Sequence, residues 1–219
     1  FLSDQLAPLN TGQTVGGITG TPDADIDAEL AWDITRGIYN PATSIVVAVV
    51  GTGVDHEHPD LIENMWTNPG EVANDGIDND GNGYVDDVFG YDFINHDGDP
   101  SPMNPDSGVC QWAVSKHETQ GAGIVGARGD NLMGVAGVNW YVRIMALRTV
   151  FTADAVAAID YAVTEGANII NISFAVPAAS ALATTRSLNF VFQAATLGAG
   201  LLVLAIHALL GEPQGVLMP

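Results

Sequence analysis

Residues 44–61 read Ser-Ile-Val-Val-Ala-Val-Val-Gly-Thr-Gly-Val-Asp-His-Glu-His-Pro-Asp-Leu. The run up to Val50 is apolar and β-branched without a break, the pattern of a strand covered on both faces. It stops at Gly51-Thr52-Gly53, where a turn carries the chain off the sheet. Similar runs recur downstream. Arg143 to Leu147, Asn168 to Phe174 and Leu201 to Ile206 read as strands, and Tyr91 to Ile94 as a short one. Ile26 to Ile34, Thr119 to Ala127, Ala153 to Glu165 and Ala181 to Leu197 read as helices, with Gly166 placed to close the third. Strands alternating with helices predict an α/β fold, a mostly parallel sheet with helices on both faces. Residues 1–23 are rich in Gly, Thr and Pro and read as an extended arm ahead of a domain over 24–219.

The composition supports a large core and restricts the partners. Of 219 residues, 47% are apolar and 15% charged, which excludes disorder over most of the chain. Acidic residues number 26 against 6 basic ones, for a formal charge of −20. Nucleic acid and anionic membrane surfaces are poor partners for such a chain, and divalent cations are suitable ones. Cys110 stands alone, which excludes an intrachain disulfide and a Cys-rich zinc site. The longest apolar stretch, Thr196 to Leu210, is interrupted by Gly198, Gly200 and His207, short of the roughly 20 residues of a spanning helix. Strong acidity with few lysines reads as a secreted or extracellular chain. The start at Phe1 reads as a processed or cut terminus. A sheet that stops soon after a very apolar strand reads as incomplete, its edge covered by further chain, a second chain or self-association.

Several blocks occur in a fixed order. Gly51-Thr52-Gly53-Val54-Asp55-His56-Glu57-His58-Pro59-Asp60-Leu61 comes first. His117-Glu118-Thr119-Gln120-Gly121-Ala122-Gly123-Ile124-Val125-Gly126-Ala127 follows, then Met133 to Gly137, Ile144 to Leu147 and Asn168 to Ser173. Together these resemble the subtilisin-like serine proteases, whose first two blocks are D-T-G-V-D-x-x-H-P-D-L and H-G-T-H-V-A-G-x-I-G-A. The resemblance runs from about Asp25 to Ile206. It implies a partial subtilisin-like fold, peptide-bond hydrolysis by acyl transfer with His117 as the catalytic histidine, and an extended protein or peptide substrate lying beside Ser173, Phe174 and Ala175.

The departures from the family pattern bear on function. The family's catalytic Asp falls on Gly51, the glycine after its His on Glu118, and its second His on Gln120. No oxyanion Asn follows Leu201 to Ile206, and no G-T-S-M-A block is present. A serine triad needs a hydroxyl, an imidazole and a carboxylate. Read this way, only the imidazole of His117 survives, and the chain as given cannot run the reaction alone. Three readings follow: a subtilase-like domain that acts in binding or assembly, the N-terminal portion of a working endopeptidase whose serine block lies outside this chain, or a self-assembling structural subunit.

Residues 67–100 form an acidic loop. Asp78, Asp80, Asn82, Tyr84 (through its carbonyl) and Asp86 stand at alternate positions, with Gly83 at the sixth, the opening of an EF-hand-type calcium loop. The twelfth position is Phe89, so a bidentate ligand must come from elsewhere, with Asp75, Asp87, Asp92 and Asp97 near at hand. Subtilases commonly carry calcium in surface loops, so the resemblance points the same way. Other features have structural explanations. His117-Glu118 lacks the second His of a zincin, His56-x-His58 reads as structural, and Asp55 as a turn carboxylate. Asn171-Ile172-Ser173 falls in a buried strand, which argues against glycosylation.

Overall fold

A computed structural model describes residues 5–40, 42–102, 116–149, 152–172 and 202–204. The chain forms β1 (Thr14–Val15), β2 (Ile18–Thr19), α1 (Ala28–Ile34), β3 (Val46–Gly51), β4 (Gly90–Asp92), α2 (His117–Gly126), β5 (Arg143–Arg148), α3 (Thr152–Thr164), β6 (Ile169–Ile172) and β7 (Leu202–Leu204). Five strands make one sheet in the order β4-β5-β3-β6-β7, every pair parallel. The β-branched run lies at its centre. Alternate residues of β3 enter two cores: Ala48 and Val50 face α3, with Met145, Leu147, Ala158, Ile159 and Ala162. Val47 and Val49 face α2, with Ile144, Ala146 and Ala122. A strand buried on both sides needs no polar alternation, and each fully buried valine contributes about 1.5–3 kcal/mol.

Gly166 closes α3 with φ 82°, as its position in the sequence predicts. The predicted helix over Ala181 to Leu197 lies outside the described residues, as do Cys110, His207 and the surroundings of the β7 edge. The N-terminal arm differs from the expected extended segment. β1 and β2 pair antiparallel, Thr14 with Thr19 and Val15 with Ile18. Gln5 then clips the arm onto the domain, its amide donating to Ala136 O (3.1 Å) and its oxygen accepting from Ala136 N (2.8 Å). The hairpin within the arm and the Gln5 side-chain bonds to the domain satisfy polar groups of a segment that has no apolar periodicity.

Asn64 ties the layers beneath α2. It is buried, and its Nδ2 donates to Gly126 O at the end of α2 (2.8 Å) and to Trp140 O ahead of β5 (2.9 Å). Asn64→Ala leaves both carbonyls without that donor and costs about 2–3 kcal/mol. Urea unfolding of the two proteins measures the loss; a cost below about 0.5 kcal/mol would remove Asn64 from this role.

Candidate active site and acidic loop

In this strand order the chain moves from β3 to β4 and β5 on one side, then crosses to β6 on the other. The crevice at the carboxyl end of β3 is therefore the topological switch point, where open α/β sheets place their sites. The residues there are Gly51, paired in register with Arg148 of β5, and Thr52. Thr149 N donates to Gly51 O (2.7 Å), which pins the strand end.

α2 brings His117 to this place as its first residue. The imidazole is exposed, 59% of its side-chain surface facing solvent, whereas the next side chain, Glu118, is 2% exposed. Nδ1 of His117 lies 3.2 Å from Glu118 Oε1. Thr52 Oγ1 donates to Glu118 Oε2. At Gly51, an added Cβ would stand 2.7 Å from Glu118 Cγ and closer still to its Cδ and Oε1. Asp55 N donates to Thr119 Oγ1 of α2 (3.0 Å), which ties the turn after β3 to the helix.

The two other histidines of the first block have separate partners. His56 stacks on Phe89 with centroids 4.7 Å apart and meets Ser101 Oγ through Nδ1 (3.1 Å). His58 Nδ1 accepts from Asp60 N (3.2 Å) within its own turn. Ser173, Phe174 and Ala175 lie outside the described residues.

The acidic loop folds on its own side chains. Asp78 Oδ1 accepts from Gly81 N (2.7 Å) and Asn82 N (3.1 Å), and its Oδ2 from Gly83 N (2.9 Å). Asp86 accepts from Asp75 N (3.0 Å) and Gly76 N (3.1 Å). Tyr84 turns its ring into the core, edge-on to Tyr91 and Tyr161 at 4.7 and 5.0 Å. The carboxylates that converge are Glu71, Asp80 and Asp87, each with an oxygen within 4.8 Å of the others. Of the five predicted ligands only Asp80 belongs to this group. Asn82 stands beside it, its Nδ2 donating to Asp87 Oδ2 (3.0 Å) and Glu165 Oε1 (3.2 Å). Glu71 escaped the sequence reading because it precedes the alternating motif.

This cluster has the character of a hard-cation site. Asp87 is fully buried, and Glu71 Oε2 is buried with no hydrogen-bond partner among the described residues. None of the three is paired with a Lys or Arg side chain among the described residues. Burial, and behind it the charges of Asp80 and Asp87, hold the Glu165 carboxyl above its usual range, against the lowering hydrogen bond from Asn82. Burial and the hydrogen bond to Asp87 push the Tyr161 phenol far up, so it remains a donor to that carboxylate. An all-oxygen set with one orphaned buried oxygen fits a divalent cation of the calcium type.

Known proteins bear on these observations. Residues 42–206 match the subtilase family, Peptidase_S8. The chain is 32% identical over 142 residues to subtilisin-like protease 1 of Plasmodium berghei (strain Anka), which covers 62% of this chain and 22% of that protein. It is 32% identical over 151 residues to the thermophilic serine proteinase of Bacillus sp. (strain AK1), 66% of this chain and 28% of that one. It is 29% identical over 154 residues to the halolysin-like extracellular serine protease Nep of Natrialba magadii, 68% of this chain and 23% of that one. The chain thus spans about a quarter of the length of these relatives. In fold, it superposes on the serine protease of Aeromonas sobria, solved with its chaperone, with TM-score 0.56 and 21% identity over 87% of this chain and 28% of that one. A protease of Pseudoalteromonas arctica gives TM-score 0.54 at 20% identity, over 92% of this chain and 57% of that one. All five strands of the large sheet, the flanking helices α2 and α3 and the histidine block fall inside the matched span, and the chain belongs to the subtilase family.

Proposed function

We propose that this chain is the histidine-bearing part of an extracellular serine endopeptidase, and that a calcium ion braces its acidic loop. The observation that carries the reading is the place of His117: an exposed imidazole in the first turn of α2, at the carboxyl end of the central strand. An imidazole there can take the proton of a hydroxyl nucleophile and pass it to a leaving amine. The hydroxyl is a serine from outside these 219 residues, since the chain has no G-T-S-M-A block. A peptide substrate lies extended beside residues 173–175. The extracellular setting is supported by a relative named as an extracellular protease and by the formal charge of −20.

The test is made on the complete protein that contains this chain. A fluorophosphonate probe is expected to label one serine, and an unstructured peptide is expected to be cleaved in parallel. Neither labelling nor cleavage would return the domain to a non-catalytic role in binding or assembly.

Glu71, Asp80 and Asp87 would hold the calcium ion, with Asn82 at its edge. The ion supplies positive charge where three carboxylates crowd, and so ties the loop to Tyr161 and Glu165 of the α3 end. Calcium at one hundred times its Kd is expected to stabilise the chain by about 2.7 kcal/mol. For a chain of this size that raises Tm by about 5–10 °C. Thermal melts with calcium and with a chelator measure it, and Asp87→Ala removes the difference. Equal melting temperatures in calcium and chelator would exclude the site.

A further inference from the structure

We propose that Glu118 is the positioning carboxylate of His117, supplied from the helix in place of the one that Gly51 lacks, and that Gly51 is the residue that makes room for it. This deepens the reading above, in which His117 is the base of a serine peptidase.

Three observations carry it. Glu118 Oε1 stands 3.2 Å from Nδ1 of His117, within reach of an N–H donated by the ring. Glu118 Oε2 accepts from Thr52 Oγ1, so the carboxylate bridges the strand end and the imidazole. The space is shared with position 51, where any Cβ would overlap the Glu118 side chain. Glycine at 51 without Glu118 would leave a void beside the ring, and Glu118 against a larger residue would clash. The two departures from the family pattern are therefore complementary in volume and in charge: one carboxylate leaves the strand, and another enters from the helix.

The physical setting suits the role. Glu118 is in the first turn of α2, where the unpaired N–H groups and the helix dipole favour a negative charge. Its side chain is 2% exposed, so its interaction with the ring is weakly screened, while the ring itself faces solvent at 59%. A carboxylate on Nδ1 holds the hydrogen on that nitrogen and fixes the plane of the ring. Nε2 is then the nitrogen that takes a proton, and the carboxylate stabilises the imidazolium that results.

A buried glutamate that merely accepts from Thr52 would satisfy the packing but not set the tautomer. Nitrogen-15 NMR of the histidine-labelled full chain separates the two roles. His117 is assigned by the signals lost in His117→Gln. At a pH where the ring is neutral, Nδ1 is expected to carry the hydrogen. In Glu118→Gln the amide oxygen keeps the Thr52 bond and the amide N–H meets the ring, so the hydrogen moves to Nε2. Gly51→Asp/Glu118→Gly puts the carboxylate back on the strand and restores the Nδ1–H form. Gly51→Ala alone displaces Glu118, lowers Tm and loses the Nδ1–H form. Gly51→Ala/Glu118→Gly recovers Tm but not the tautomer.

In the complete protease, Glu118→Gln lowers kcat about 10⁴-fold with KM little changed, the size of effect a wrong tautomer produces. Gly51→Asp/Glu118→Gly recovers most of that loss. An Nε2–H ring in the unaltered chain, or a tautomer that Glu118→Gln leaves unchanged, overturns the proposal. Should Glu118→Gln fail to fold, the Gly51→Asp/Glu118→Gly pair decides: an Nε2–H ring there overturns it too. An Nδ1–H ring in a protein that no serine probe labels keeps the pairing and removes the peptidase reading. Peptide cleavage by a protein whose His117 is Nε2–H does the reverse.

Discussion

His117→Ala is expected, on the endopeptidase reading proposed above, to lower kcat/KM of the complete protein by at least about four orders of magnitude, with KM almost unchanged. The argument is geometric. The exposed imidazole at the start of α2 stands where the sheet's topology opens a crevice, and its neighbours there are the end of β3 and a buried carboxylate. Removing it deletes the only described group in that crevice poised to take a hydroxyl proton and return it. Because 59% of the side chain is exposed, the same change leaves the core intact and should move Tm by less than about 0.5 kcal/mol equivalent. A variant that still turns over within tenfold of the natural protein would place the base elsewhere. A variant that melts far earlier would mean that the ring is a packing element.

The central strands were legible because their chemistry is uniform. β3 needs no partner to be recognised: six consecutive residues, five of them β-branched or Ala, are covered on both faces. β5 and α3 follow the same logic, with bounds that differ from the sequence reading by one residue at one or both ends. α2 is different. Its sequence, rich in Gly and Ala, gives no amphipathic stripe, and its start at His117 has no side-chain cap, so the expected start falls two residues late. The strand order rests on which helix covers which face, a long-range matter that no local pattern encodes.

The candidate site was half legible for a related reason. Block order located His117 at once. The role of Glu118 could not be seen from helical spacing, since residues one apart on a helix do not face each other. Their contact exists only because the first turn of α2 abuts Gly51 and Thr52. The signal available in the sequence was a loss paired with a gain: a missing carboxylate at 51 and an added one at 118. The acidic loop shows the opposite effect. Its alternation of Asp and Asn suggests a single ring of ligands, yet Asp78 bonds the backbone N–H groups of its own turn and Asp86 those of the earlier turn at Asp75 and Gly76. Short acidic side chains compete in this way wherever glycine turns leave amides free. The carboxylates that meet are those brought together by the fold, Glu71 and Asp87 with Asp80 between them in sequence.

Arg148→Met is expected to cost about 3–5 kcal/mol at neutral pH, the range for a buried ion pair that loses one partner. Arg148 ends β5 and Asp92 ends β4, and the two are register partners across the sheet. Both are buried, and Arg148 NH1 donates to Asp92 Oδ2. With Arg148 gone, the Asp92 carboxylate keeps only the backbone donors Ile94 N (2.7 Å) and Asn95 N (3.2 Å) among its described partners. Burial already raises the Asp92 carboxyl above its usual range, against the lowering effect of those two bonds and of Arg148. A carboxyl whose folded value lies above its unfolded value binds more protons when folded, so its contribution to stability falls as pH rises between the two. Removing the guanidinium moves the folded value higher still and widens that window. The deficit of Arg148→Met should therefore be largest at pH 7.5 and shrink toward pH 5, as Asp92 takes up its proton. Urea unfolding of both proteins at the two pH values measures it, and Asp92→Asn/Arg148→Met should recover most of the loss at pH 7.5. A deficit below about 1 kcal/mol, or one that grows on acidification, would mean that this pair does not hold β4 to the sheet.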